Sequence, residues 1–282
     1  MRFAAILLFC GLAQAAPFQD QFFDSNGVRI HYLIGGSGEP VVLIHGWSAS
    51  AEMWRPLMDD LSRDHQVIAL DCRGHGQSGK PHDPAAYGIE MVNDIVRLLD
   101  HLGIRKAHIA GYSMGGSIAL KLLMEHPGLF LTAIIGGSTG FREPADFDTE
   151  ETPLIKSLRS GMPLSEAMIA NAPPNWPKPT PEQRAMMKQM DVGHDPIALA
   201  AQRLGNRGLK VDYEKLKKTS VPTLLVCGSL DNPARFDALR AILPRAEFVT
   251  IEGARHGDTP NNPEFAKAVR DFLARHSKRV ST

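Results

Sequence analysis

An excess of either charge is absent. Across 282 residues, 31 Lys and Arg balance 31 Asp and Glu, and no basic cluster stands out along the chain. Without a net field there is no ground to expect a nucleic acid or an anionic membrane as partner. Long apolar runs are missing too: the stretch from Phe3 to Leu12 falls well short of the roughly 20 residues that span a bilayer. With Arg2 before it and Ala13-Gln14-Ala15 after it, that stretch reads as a secretory signal peptide over residues 1–16, cleaved after Ala15 or Ala16. The expected location is secreted or periplasmic, with no membrane span once the leader is removed; an uncleaved N-terminal anchor is the alternative. Phe9 is bulkier than lipoprotein processing at Cys10 usually allows.

Cysteine is scarce. Removal of the leader leaves Cys72 and Cys227, too few for a disulfide framework. His82, His101, His126, His194 and His276 lack the paired spacing of zinc ligands, so no metal is expected. Gly35-Gly36-Ser37-Gly38 lies between two strand-like runs, opens no helix and lacks the lysine of a phosphate loop; it reads as a hairpin turn. No cofactor is expected. Internal repeats and low-complexity tracts are likewise missing, and a chain that is 43% hydrophobic can bury one large core.

What is present is an alternation of short apolar runs and helical periodicity. Met91, Ile95, Leu98, Leu99 and Leu102 share one helical face, and Ala133-Ile134-Ile135 reads as a further strand. Such alternation predicts an α/β fold, a mostly parallel central sheet flanked by helices. From about residue 141 to 210 strands disappear and proline-dense breaks such as 172–179 interrupt short helical pieces; core periodicity resumes at Val221. Met190 to Asp195 and Leu204 to Gly208 read as loop junctions.

Chemistry concentrates at Gly111-Tyr112-Ser113-Met114-Gly115, where the apolar run from Ala107 to Ala110 gives way to a helical pattern through Ile118, Ala119, Leu122 and Leu123. A serine on a sharp strand-to-helix turn is lifted clear of the backbone, and glycines on either side suit strained dihedrals and close packing. A serine hydroxyl needs a base, and the base needs an orienting group. Asp231 follows the apolar run 222–227, and His256 follows the run 247–251, so both emerge at strand ends in the order Ser, Asp, His. His256 would take the Ser113 proton, and Asp231 would hold the imidazole in its working tautomer. Developing negative charge on a carbonyl oxygen needs donors. The main-chain N–H groups of Met114 and of Trp47, which follows the strand-like run 41–44 and His45-Gly46, are the candidates. His45 itself is expected to brace its loop.

His45-Gly46-Trp47, the segment from Asp71 through Cys72-Arg73-Gly74-His75-Gly76-Gln77 to Ser78, Ser113 in its glycine frame, Asp231 and His256 together resemble the α/β-hydrolase fold superfamily over nearly all of the mature chain. The resemblance implies a core from 17–140 and 211–282 with a small helical cap inserted at 141–210. It makes the Asp71–Ser78 segment a structural turn and residues 263–273 the start of the closing helix. In the superfamily's strand order Cys72 and Cys227 lie several strands apart, which implies two free thiols, since a disulfide needs Cα atoms within about 7 Å. Trp176 is a candidate substrate wall; Met162, Met168, Met186, Met187 and Met190 could form an apolar ceiling or simply pack the cap.

The nucleophile narrows the activity. Haloalkane dehalogenases and epoxide hydrolases carry an aspartate where this chain has Ser113, and proline iminopeptidases usually have tryptophan where it has Met114. The Ser-Met-Gly-Gly form resembles esterases, enol-lactonases, haloperoxidase-like enzymes and carbon–carbon bond hydrolases. The last usually carry further glycine and proline after the early His-Gly, where this chain has Trp47-Ser48-Ala49-Ser50. The reading is a serine hydrolase of a small-molecule carboxylic ester or lactone. The alternatives are carbon–carbon hydrolysis, haloperoxidase-like or perhydrolase activity, or a ligand-binding protein that uses the fold without turnover.

Overall fold

The computed structural model describes residues 18–174 and 177–277; the expected signal peptide and Trp176 lie outside the described residues. Its strands are β1 (Gln19–Ser25), β2 (Val28–Gly36), β3 (Glu39–Ile44), β4 (His65–Leu70), β5 (Ala107–Tyr112), β6 (Phe130–Gly136), β7 (Thr223–Gly228) and β8 (Glu247–Ile251). They form an eight-stranded sheet in the order β1-β2-β4-β3-β5-β6-β7-β8. β2 runs antiparallel to both β1 and β4, and all neighbours from β4 to β8 are parallel. The helices are α1 (Arg55–Leu61), α2 (Ile89–His101), α3 (Met114–Glu125), α4 (Pro153–Arg159), α5 (Leu164–Ala170), α6 (Pro181–Gln189), α7 (Pro196–Gly205), α8 (Tyr213–Leu216), α9 (Asp237–Ile242) and α10 (Pro263–His276).

Period-two alternation divides the central strands between two apolar layers. Val42, Ile44, Ile109, Ile135 and Leu225 face α2 and α3, where Met91, Ile95, Leu99, Ile118 and Leu122 meet them. Val41, Leu43, Ala110, Ile134 and Val226 face the other way, onto Leu57, Met58 and Leu61 of α1 and Phe265, Val269 and Phe272 of α10. With both faces covered, these strands read as continuous apolar runs, and their C-terminal ends open onto a single rim.

The glycine run 35–38 is not a hairpin. β4 lies between β2 and β3 and pairs with both, so the run must carry the chain past the start of β4. Gly36 and Gly38 have φ of +74° and +122°, and a Cβ on them would sit 2.2 Å from the His65 carbonyl oxygen and 2.3 Å from that of Asp64. Glycine between two apolar runs looks the same in a hairpin and in such a crossing, because pairing is decided by a strand further along the chain. The real hairpin is Asn26-Gly27, with φ of 56° and 82° between the paired Ser25 and Val28, the combination a tight two-residue turn requires.

Between β6 and β7 the chain builds α4 to α8. Ile155, Leu158, Leu164, Ala167 and Leu199 form an apolar cluster of their own, against which Met162, Met168 and Met190 pack. Phe141 and Lys210 pair in an isolated bridge where the segment leaves and rejoins the core. The run 204–208 is not a plain loop: Leu204 and Gly205 finish α7 and a 3-10 turn spans Asn206–Leu209. Its glycines press on the core, since a Cβ on Gly205 would lie 2.6 Å from the Tyr87 Cβ. Cys72 and Cys227 are free and buried, with β3, β5 and β6 between their strands, and burial pushes both thiols up. Among the described residues no helix is long and apolar enough to cross a membrane.

Candidate active site

Ser113 occupies the one-residue joint between β5 and α3. Its φ of 55° and ψ of −112° are a strained setting for a residue with a Cβ, costing about 1–3 kcal/mol. The surroundings enforce it. The Ser113 N–H donates to the Gly136 carbonyl at 2.8 Å, and the Ser117 N–H donates back to the Ser113 carbonyl at 3.0 Å. Strand and helix approach so closely that a Cβ on Gly111 would fall 2.1 Å from the Gly115 carbonyl oxygen. A Cβ on Gly115 would fall equally close to the Ile44 carbonyl oxygen, 2.1 Å away. The glycines are therefore required by backbone proximity, and the strain turns the Ser113 hydroxyl out of the sheet.

The imidazole and the carboxylate arrive from β8 and β7. His256 Nε2 lies 2.9 Å from Ser113 Oγ, and His256 Nδ1 lies 2.7 Å from Asp231 Oδ2. A carboxylate only accepts, so Nδ1 carries the proton and Nε2 is left to accept from the serine hydroxyl. The two loops are stitched together: the Leu230 N–H donates to the Ala254 carbonyl at 3.0 Å and the Ser229 N–H to the Ile251 carbonyl at 2.9 Å. A Cβ on Gly228 would collide with the Ala254 carbonyl oxygen at 2.1 Å. Tyr112, which no sequence spacing singled out, adds a further tie. Its hydroxyl donates to the His256 carbonyl oxygen at 2.6 Å, and the two rings stand 5.2 Å apart. The His256 side chain is 46% exposed and Asp231 only 15%, so the imidazole is reachable while its carboxylate partner is sheltered.

Met114 and Trp47 line the same cavity as Ser113 and His256. Met114 opens α3, where main-chain N–H groups have no intrahelical acceptor and the helix dipole favours negative charge. Among the described residues neither the Met114 nor the Trp47 amide has a protein acceptor. His45 braces the Trp47 loop: its Nδ1–H donates to the Gly46 carbonyl at 2.7 Å and its Nε2 accepts the Cys72 N–H at 3.0 Å. Complete burial holds His45 below the usual imidazole range, in keeping with that neutral tautomer.

Asp71, Arg73 and His75 build the turn behind this loop. Asp71 accepts from the Ala51 and Gln77 N–H groups, both at 2.7 Å, and lies 2.8 Å from His31 Nδ1. Burial opposes its charge, yet those bonds and His31 keep the carboxyl below the usual range. Arg73 grips Asp94 through Nε at 2.7 Å and Nη2 at 2.6 Å. His75 is buried beside His45, and desolvation pushes it down to about 3. None of the three lines the cavity.

The cavity at Ser113 has a volume of about 490 Å³. Of the two roles open to the methionines, the apolar ceiling is not the one found: none of the five lines the cavity, and Met186 is 71% exposed. Methionines spaced along short helices could equally serve the insertion's own cluster, and Met162, Met168 and Met190 do so. Instead the cavity gathers Arg142, Arg203 and Arg235 from three separate segments, where the linear sequence had no basic cluster. Among the described residues no group of three or more His, Cys, Asp or Glu side chains could hold a metal ion.

The chain is similar to several known proteins. The chain is 29% identical over 283 residues to 2-hydroxy-6-oxo-6-(2'-aminophenyl)hexa-2,4-dienoic acid hydrolase of Metapseudomonas resinovorans, covering 93% of each chain. It is 34% identical over 154 residues to the dihydrolipoyllysine-residue acetyltransferase component of the acetoin cleaving system of Cupriavidus necator. That match takes in 54% of this chain and 41% of the relative, so the chain spans about two-fifths of that protein's length. In structure it is similar to a thermophilic esterase from Thermogutta terrifontis, with a TM-score of 0.77 at 24% identity over 93% of this chain and 100% of that one. The family model of the alpha/beta hydrolase fold matches residues 39–263, and the chain belongs to that family.

Proposed function

We propose that the protein is a serine hydrolase that cleaves a carboxylic ester or lactone through an acyl-enzyme. The observation that carries this reading is the unbroken series Ser113 Oγ, His256 and Asp231 Oδ2, with contacts of 2.9 and 2.7 Å on three different strand ends. Ser113 Oγ attacks the carbonyl carbon while its proton passes to His256 Nε2, and Asp231 steadies the imidazolium. The Trp47 and Met114 N–H groups receive the oxyanion, each such donor contributing about 10²–10³-fold to the rate. Collapse of the tetrahedral adduct sends the proton from His256 to the leaving alcohol. A water then gives its proton to His256, attacks the acyl carbon, and the acid departs as Ser113 regains its hydrogen. On this reading α4 to α7 act as the cap that shapes the substrate cavity, and the leader at 1–16 directs export.

Short-chain aryl esters assayed with the wild type and with Ser113→Ala test the proposal. The account expects a loss of about 10⁴-fold or more in kcat with the fold retained; equal turnover by both proteins would remove Ser113 from the chemistry. A second reading, carbon–carbon cleavage of a dienoic acid, is favoured by the Metapseudomonas relative, which covers nearly the whole chain. Turnover of such an acid far above that of simple esters, still dependent on Ser113, would select it.

A further inference from the structure

Sequence composition gave no reason to expect an anionic ligand, but folding brings positive charge to the one place where a substrate must lie. Arg142 follows β6, Arg235 follows β7, and Arg203 sits on α7; all three line the cavity that holds Ser113 and His256. Arg203 already has a role. Its Nε donates to Asp148 Oδ2 at 2.7 Å, and its guanidinium lies 4.8 Å from the centre of the Trp47 ring. Arg142 and Arg235 differ: among the described residues neither has a carboxylate within ion-pair distance, and Arg142 rests against the Tyr213 ring at 5.0 Å.

The remaining acid at the cavity, Asp146, lies within electrostatic reach of both, but it sets one negative charge against their two positive ones. Its Oδ2 accepts the Arg142 and Glu143 N–H groups at 2.7 and 2.8 Å, which commits it to capping the short turn at Pro144–Asp146. With Asp148 paired to Arg203 and Asp146 bound to backbone, three arginines against two aspartates leave the cavity net positive. A neutral, fatty acyl chain would gain nothing from such walls, whereas a planar guanidinium fork matches a carboxylate. We propose that the cavity beside Ser113 takes substrates carrying a free carboxylate in addition to the scissile ester, the carboxylate held by Arg142 and Arg235 while the scissile carbonyl meets Ser113. This rests on the ester-hydrolase reading and adds the substrate's charge to it.

Two measurements separate the layers of the proposal. First, kcat/KM is compared for 4-nitrophenyl hydrogen glutarate and 4-nitrophenyl valerate, which differ chiefly by a terminal carboxylate in place of a methyl group. Second, binding of glutarate to Ser113→Ala is followed by calorimetry, which needs no turnover. The expected result is a preference of about tenfold or more for the acidic ester at low ionic strength, carried by KM. High salt and the double variant Arg142→Gln/Arg235→Gln should bring that ratio towards one and abolish glutarate binding. Equal use of both esters, with no glutarate bound, would overturn the anion site and leave the ester reading intact. A preference unaffected by the double variant would overturn the assignment to these two arginines. Turnover of neither ester, with glutarate still bound through the arginines, would sink the ester reading and keep the site; turnover of neither and no binding would overturn both.

Discussion

A Cβ placed on Gly115 would lie 2.1 Å from the Ile44 carbonyl oxygen, while one placed on Gly161, in the insertion, meets nothing within 4 Å. The two glycines mark two ways of building. At the sheet rim, backbone lies against backbone: Ser113 is wedged between β5, β6 and α3, and the loops of Asp231 and His256 are joined by main-chain bonds. In the insertion, α4, α5 and α7 share one small apolar cluster and α6 has no buried residue; contacts to the core include Ala201 and Leu209 in the main apolar cluster, Trp47, the His82–Asp195 pair and the glycines of 205–208. The rim holds Ser113, His256 and Asp231 in series at contacts of 2.9 and 2.7 Å. The insertion contributes Arg142, Asp146, Asp148, Gln202 and Arg203 to the walls of the cavity at Ser113.

Substitution at the two glycines breaks the comparison most directly. Gly115→Ala must displace strand from helix and should cost about 2–4 kcal/mol in denaturant unfolding, with activity lost in proportion to the distortion. Gly161→Ala, at φ +82°, pays only the left-handed backbone penalty of about 1 kcal/mol and should leave kcat unchanged. Equal costs at the two positions would show that the rim is no more tightly built than the insertion.

Acid should weaken the core through His75. The unfolded chain takes up this proton near 6.5, whereas the folded site refuses it until about 3. The stability owed to the neutral ring is complete above 6.5 and is lost as pH falls towards 3, at about 1.4 kcal/mol per pH unit for one proton. His45, also held low by burial, and Asp71, held low by its hydrogen bonds, act in the same direction. Urea unfolding of His75→Gln at pH 7, 5.5 and 4.5 should therefore show a shallower slope than the wild type by about one proton. Parallel slopes would contradict the assignment.

The smallest effect expected is at Tyr112, a positioning residue. Tyr112→Phe leaves the His256 carbonyl without its 2.6 Å partner and should lower kcat about five- to tenfold, with KM little changed. A matching rise in KM would instead point to a role in substrate contact.

How much of this was legible in the chain follows the same division. Ser113, Asp231, His256 and the two amides could be located because each is tied to the end of an apolar strand, and strand ends in a parallel sheet meet at one rim. The Asn26-Gly27 hairpin carried a readable turn signal in its dipeptide. The crossing at 35–38 did not, since β4, some thirty residues further on, decides it. Tyr112 and the three arginines were hidden for another reason: their partners are a main-chain carbonyl and a cavity, neither of which leaves a spacing in sequence. Of the two roles the methionines left open, packing prevails because α4, α5 and α7 turn apolar side chains to one another, where Met162, Met168 and Met190 join them.

Intact-protein mass measurement after treatment with a fluorophosphonate tests the central claim most directly. The account predicts one adduct per chain, mapped to Ser113, absent in Ser113→Ala and strongly slowed in His256→Gln. A wild-type chain that stays unmodified, or an adduct that persists in Ser113→Ala, would contradict it.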